Sequence, residues 1–344
     1  MITSTKYFNP NGCEILDERI FEPKNIITRL NTGFIDFNRP RYKWSKELYR
    51  MAMNRFWTPQ QVNVSTEKKN YSLLSPNEKE IYKRVFSQLS FDDSIQTNFL
   101  IDLAPKANNQ IVRATIIKQA EQEIVHSDMY SFLLDNVGNS NEIFDLYKTE
   151  PSIALKNQRI ADMYARYING ETQKDFLMSA MCSVCLEGIF FLTGFTYIFV
   201  MGDKIQGSSD GLSEIATDEI VLHLVIFANI VNTIYRENRF TFSVKDEMLN
   251  MLIEAYDIEM EYAKSLEPYP ILGLTPELVQ TTIENFVNDR AKILHLPLPF
   301  PERPTTSLQK LIKDRIDERN NVKSNFFETQ VKTYSIGSID LDDF

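Results

Sequence analysis

Apolar residues recur at spacings of three and four along most of the chain from Tyr42 onward, and the strict alternation of a half-buried strand is nearly absent. Trp44, Leu48, Met51, Met53 and Phe56 give Tyr42 to Phe56 helical spacing. Trp57-Thr58-Pro59 ends that helix, because the residue before a proline avoids the helical region. Gln60 to Leu74 reads as a polar connection. Ser75-Pro76-Asn77-Glu78 is a start signal: a capping serine, a proline at the first helical position and an acid three residues after the cap. The helix it opens runs to about Ile101, and Pro105 with Asn108-Asn109 separates it from a second long helix, roughly Gln110 to Asn136. Gly138 to Ser152 reads as a polar link and Ile153 to Ile168 as a helix. Thr172 to Met201 reads as a long, strongly apolar helix, and Gly202 to Gly211 as a loop. Leu212 to Tyr235, Ser243 to Leu266 and Pro276 to Leu294 are three more helices, and His295 is an ordinary helix-end residue. Four prolines between Pro297 and Pro304 stop regular structure before a short last helix, Thr306 to about Asn320. The expected fold class is all-α, with no repeat of fixed period.

This pattern divides the chain of 344 residues into an N-terminal arm at 1–40, one helical domain at 41–321 and a C-terminal tail at 322–344. The tail is rich in Ser, Asn and acids and ends Asp340-Leu341-Asp342-Asp343-Phe344. The longest apolar run, Ile189 to Met201, is about two-thirds of the ~20 residues that a membrane-spanning helix needs. A buried core helix is therefore expected, and no membrane partner.

Composition adds little except in its charge and its rare residues. A formal charge of -10 argues against nucleic acid or an anionic membrane as partner. Three cysteines, Cys13, Cys182 and Cys185, are too few and too odd a number for a secreted disulfide framework. Cys182 and Cys185 mimic a CxxC motif, yet inside a helix and far from other thiols they read as packing residues. Met1 to Pro10 lacks a basic segment followed by an apolar run, so a cytoplasmic protein is expected.

Histidine is scarcer still, with only His126, His223 and His295, and two of the three follow a glutamate on one helix face. Glu123 and His126 are three apart, Glu219 and His223 four apart, and either spacing puts both side chains on one face. Either pair alone is more ordinarily a solvated surface pair. Asp93 and Glu187 are single acids on otherwise apolar faces of two further helices, and a buried acid without a partner is rare. Two Glu–His helices and two helices with one carboxylate each describe a four-helix di-metal site. Oxygen-rich ligands with some imidazole suit iron and manganese. Tyr130, one turn past His126, places an oxidisable phenol beside those ligands, with Phe191 and Phe195 available as an apolar wall.

These residues, taken together, resemble the small, radical-generating subunit of class I ribonucleotide reductase. The matching words are Phe56-Trp57-Thr58-Pro59 with Gln61-Val62, Asp93-Ser94-Ile95-Gln96, and Glu123-Ile124-Val125-His126-Ser127 with Tyr130. They continue with Leu186-Glu187-Gly188-Ile189-Phe190-Phe191, with Asp218-Glu219 before His223, and with Tyr334 ahead of an acidic, Phe-terminated end. The resemblance implies a ferritin-like bundle. It implies that Asp93, Glu123 and His126 hold one metal, with Glu123 bridging, and that Glu187, Glu219 and His223 hold the other. Two iron ions are the expected pair, with dimanganese or mixed Mn/Fe as alternatives. Tyr130 would carry the radical, and Trp57, bonded to Asp218, which in turn reaches His126, would form the inner part of a transfer route. Tyr334 would relay the oxidising equivalent to a large subunit, where ribonucleotides are reduced, and the last residues would dock there. A homodimer and a flavoprotein activator are further implied partners. The family's usual second pair is Glu-x-x-His, whereas Glu219 to His223 is one residue longer, an excess that a π-bulge can absorb.

Two other readings compete. A ferritin-like di-metal oxidase or oxygenase acting on its own bound substrate needs the ligands but not Trp57, Tyr334 or a docking tail. A non-catalytic supporting subunit has only the altered spacing in its favour.

Overall fold

The computed structural model describes residues 35–327 apart from 139, 239 and 241. The described helices are α1 (Lys43–Asn54), α2 (Glu67–Leu73), α3 (Pro76–Leu103), α4 (Gln110–Val137), α5 (Ser140–Thr149), α6 (Pro151–Ile168) and α7 (Gln173–Cys185). They continue with α8 (Leu192–Val200), α9 (Gln206–Asp218), α10 (Leu224–Asn238), α11 (Phe242–Ser265), α12 (Pro276–Ile293) and α13 (Ser307–Phe327). Two π turns, π1 (Leu186–Phe190) and π2 (Glu219–His223), join α7 to α8 and α9 to α10. No strand occurs among the described residues.

Helix starts fall where capping side chains fall. The Ser75 hydroxyl accepts from the Glu78 N–H, the Glu78 carboxylate accepts from the Ser75 N–H, and Pro76 follows. The Asn109 side chain accepts from the Ile111 and Val112 N–H groups at the head of α4, and Gly138, at φ 89°, closes that helix in the left-handed conformation. Thr172 caps α7 and Thr275 caps α12 in the same way. His295 ends α12 at φ 53°.

Three polar stretches differ from expectation. The connection at 60–74 contains α2, the link at 138–152 contains α5, and the loop at 202–211 gives way to α9 at Gln206. The cause is tertiary. The buried Glu67 carboxylate of α2 accepts from the Gly207 and Ser208 N–H groups at 3.0 and 2.8 Å, so an acid distant in sequence caps α9 and favours its positive end. The last helix also continues past Asn320, and past the expected boundary at 321, to Phe327. The arm up to residue 34 and the tail beyond 327 lie outside the described residues.

The core is built around the rod α7–π1–α8. Every residue from 176 to 199 is buried, against α3, α6, α10, α11, α12 and α13. Gln173–Val200 is long and apolar enough to cross a membrane, but its apolar stretch is fully buried inside the protein and it is a core helix. Cys182 and Cys185 pack inside it, their thiols directed at the backbone carbonyls of Met178 and Met251.

A π turn dislocates the regular hydrogen-bond ladder, so the backbone beside π1 needs other partners. Three buried charged side chains supply them. Lys156 of α6 donates to the Phe190 carbonyl at 2.7 Å, Arg290 of α12 donates to the Gly188 carbonyl at 3.1 Å, and Glu259 of α11 accepts from the Thr193 N–H at 2.8 Å. Lys156 also pairs with Glu259 at 2.8 Å and lies 3.7 Å from Asp92, next to a candidate ligand. Lys156→Met removes the cation and leaves two buried carboxylates facing each other. The expected loss is about 3–5 kcal/mol of unfolding free energy. Chemical denaturation measures it, and a loss below about 1 kcal/mol would show that Lys156 does not hold the turn.

Candidate metal centre

Four helical segments deliver the six predicted ligands to one place. Asp93 comes from α3, Glu123 and His126 from α4, Glu187 from π1, and Glu219 and His223 from π2. All six are essentially inaccessible to solvent. They form two overlapping groups. One is Asp93, Glu123, His126 and Glu219, and the other is Glu123, Glu187, Glu219 and His223, with the donor atoms of each group within 4.8 Å of one another. Glu123 and Glu219 belong to both groups, so either carboxylate can span two ions.

The π turn at Glu219–His223 accounts for the long spacing. It turns Glu219 and His223 to the same side, and His223 Nδ1 lies 2.7 Å from Glu219 Oε2 and 3.1 Å from Glu123 Oε1. The π turn at Glu187 had no sequence signal.

Around the ligands, the groups left without hydrogen bonds point to what is bound. Both Asp93 oxygens and Glu187 Oε2 are buried without such a partner, and Glu219 Oε1 and Glu123 Oε2 have only His126 Nδ1 beside them, at 2.7 and 3.4 Å. Leaving so many buried acceptors unsatisfied is costly unless a cation takes them up. Four carboxylates also balance the charge of two divalent cations. The set therefore fits a di-metal carboxylate centre.

The imidazoles are oriented by their far nitrogens. His126 Nε2 lies 3.4 Å from Asp218 Oδ2, and His223 Nε2 lies 3.3 Å from Gln122 Oε1. Both Nδ1 atoms thus face the carboxylates, the arrangement in which a second hydrogen bond fixes a ligand histidine. Gln96 and Gln119 both donate to Glu187 Oε1, at 2.5 and 2.7 Å, which leaves Oε2 free, and Tyr164 holds Gln96 in turn at 2.7 Å.

Protonation follows from burial and crowding. Burial, then repulsion from Glu219 and Glu123, pushes Asp93 and Glu187 well above the ordinary carboxylate range, although His126 pulls Asp93 the other way. For Glu219, burial is outweighed by His223 and His126, which hold its carboxyl low. Burial works against charge on the histidines, yet Glu219 raises both, His223 to about 9. Protons and metal ions compete for the same donors.

Tyr130 is fully buried with its hydroxyl beside the Asp93 carboxylate, and its ring lies 6.2 Å from that of Phe86 at 76°. Burial, then the Asp93 charge, pushes the phenol well above its ordinary value, so it is neutral. Phe191 and Phe195 stack on each other in the core at 5.6 Å, and the ring that packs edge-on to Tyr130 is Phe86. On the outer side, Trp57 donates through Nε1 to Asp218 Oδ2 at 2.7 Å and stacks on His126 at 5.8 Å between ring centres. Tyr334 lies outside the described residues. The sequence assigns no role at this site to Arg55, Gln96, Gln119 or Gln122. The glutamines carried a faint signal, as uncharged polar residues in register with the ligands; Arg55 carried none, since its partner Asp218 is 163 residues away.

Such a bundle and ligand set define a ferritin-like di-metal carboxylate protein. The model of one family, "Ribonucleotide reductase, small chain", matches residues 34–307, and the chain belongs to that family. It is 29% identical to the ribonucleoside-diphosphate reductase subunit beta of Halalkalibacterium halodurans, over 92% of each chain. It is likewise 29% identical to that of Treponema pallidum, over 93% of each. Among solved structures, the ribonucleotide reductase R2 subunit from Clostridium botulinum superposes with a TM-score of 0.83 at 26% identity, over 92% of this chain and 99% of that one. The dimanganese(II)-NrdF of Streptococcus sanguinis, at 21% identity and a TM-score of 0.72 over 82% of this chain and 99% of that one, shares the fold.

Proposed function

We infer that this chain is the subunit of class I ribonucleotide reductase that generates and stores a tyrosyl radical at Tyr130 and sends its oxidising equivalent to a large subunit. Small subunits of this family work with a large subunit, generally as homodimers. One observation carries the reading: the chain Trp57–Asp218–His126 ends on the ligand cluster that Tyr130 adjoins. A di-metal oxidase acting on its own substrate has no use for that chain.

The roles follow. Asp93, Glu123, His126, Glu187, Glu219 and His223 would hold two ions, and the bound pair would supply the oxidising power that no side chain has. Iron is our assignment, and dimanganese or a mixed pair suits the same oxygen-rich donors. A flavoprotein activator would join as a further partner. Tyr130 gives up one electron from its ring and the proton from its hydroxyl, with the Asp93 carboxylate beside that oxygen. The enclosed surroundings keep water and reductants from the radical. Trp57, Asp218 and His126 carry the equivalent outward, Tyr334 relays it, and the terminal residues dock on the large subunit in the cytoplasm. Support for the tail's part comes from α13, which lies against α8 and α9 and leads into the segment that holds Tyr334.

The test uses protein reconstituted with iron and oxygen, or with manganese and an oxidant, and assayed with its large subunit. Electron paramagnetic resonance should show a tyrosyl radical and the mixture should reduce ribonucleoside diphosphates. Tyr334→Phe should keep the full radical signal and lose turnover to background. Turnover surviving in that variant removes the tail relay, and the absence of any radical in the parent removes the whole reading.

A further inference from the structure

Arg55 sits at the end of α1, buried, two residues before Trp57. Its Nε donates to Asp218 Oδ1 at 2.6 Å. Its Nη1 donates to Asn320 Oδ1 on α13 at 2.7 Å. Asp218 is fully buried, and its other oxygen, Oδ2, takes Trp57 Nε1 and faces His126 Nε2. The two carboxylate oxygens thus have separate duties, one gripped by a cation, the other shared between the indole and the ligand imidazole. A carboxylate can turn about its own axis, and the planar guanidinium group fixes that turn because its donors are rigid.

We propose that Arg55 is a positioning residue for radical transfer, holding Asp218 so that Oδ2 stays between Trp57 and His126 and tying this junction to α13. The proposal rests on the reading above that Trp57 and Asp218 carry the oxidising equivalent. Arg55 bonds to Asp218 and Asn320 rather than to the ligands or Tyr130. Its loss leaves the radical site intact and loosens the exit from it. Through Asn320 the same guanidinium group also joins that exit to α13.

The test compares Arg55→Leu, Arg55→Lys and Trp57→Phe in full-length, metal-reconstituted protein with its large subunit. Four quantities are read: metal content, radical signal, kcat, and the large-subunit concentration at half-maximal rate. Arg55→Leu should keep metal and radical at parental levels and keep the half-maximal concentration, while kcat falls about 10²-fold, the loss typical of a displacement near 1 Å. Arg55→Lys keeps the charge but not the fork, and should fall between parent and Arg55→Leu. Three results overturn the proposal: unchanged kcat in Arg55→Leu, radical and metal falling in step with turnover, or parental kcat in Arg55→Lys when Arg55→Leu does not fold. Trp57→Phe separates this from the wider reading. If it retains turnover, the route is wrong and the proposal falls with it. If it is inactive while Arg55→Leu is active, the route stands and only the role of Arg55 is lost.

Discussion

Tyr130→Phe is expected to bind its metal pair normally and to show no tyrosyl radical, with turnover at background. The substitution removes one oxygen from a site enclosed on all sides, an oxygen whose neighbour is the Asp93 carboxylate. The ring keeps its place against Phe86 and the ligand set is untouched, so metal content and thermal stability should match the parent. What disappears is the only acidic proton of the ring. A phenylalanine ring cannot settle as a neutral radical by releasing a proton from oxygen. Metal analysis and electron paramagnetic resonance on the same sample decide the matter. A tyrosyl signal that persists places the radical on another ring, and Tyr164, buried and bonded to Gln96 beside Glu187, becomes the first candidate.

Stripping both ions is expected to destabilise the fold, increasingly so as pH rises. In the stripped centre, protons replace part of the missing positive charge. His126 and His223 are held above the ordinary value of 6.5, because Glu219 outweighs burial, and His223 reaches about 9. Asp93 and Glu187 are raised too, by burial and then by neighbouring carboxylates. A group with a raised value binds its proton more tightly in the folded chain. Its support is complete below the unfolded value and is lost as pH climbs through the folded one. For His223 that window runs from 6.5 to about 9. Glu219 and Asp218 act in the opposite sense, since histidines hold the first low and Arg55 the second; their support is present at neutral pH and fades on acidification. Metal ions supply the positive charge permanently. The unfolding temperature of the stripped protein should therefore fall between pH 6.5 and 9 while that of the loaded protein stays level. At free metal about 1,000 times Kd, each site should add about 4 kcal/mol. Parallel curves for the two forms would show that these side chains do not share the ions.

The ligand helices were legible because the site obeys helical periodicity and uses a residue type this chain almost lacks. His126 and His223 could be singled out from three histidines, and Glu123 and Glu219 then followed from spacing. Single acids such as Asp93 and Glu187 stood out against apolar neighbours. Legibility fails where a partner is distant in sequence. Lys156 reads as a surface lysine, yet it is enclosed between Glu259 and the Tyr262 ring, 4.6 Å away, because α11 folds over it. Arg55 and Glu67 follow the same rule: each meets its partner only after the bundle closes. The helix α2 is illegible for a related reason, since its Glu67 finds its partners only at the head of α9.

The central rod has a consequence for how the chain is made. Residues 176–199 are sealed by α10, α11 and α12, which all come later in the sequence. A ribosome adding about 5–20 residues per second leaves this greasy stretch uncovered for several seconds, open to self-association and to chaperones. Any premature stop before the end of α12 would release a product that cannot shield it, so truncated translation products of this chain should be cleared or precipitate rather than persist.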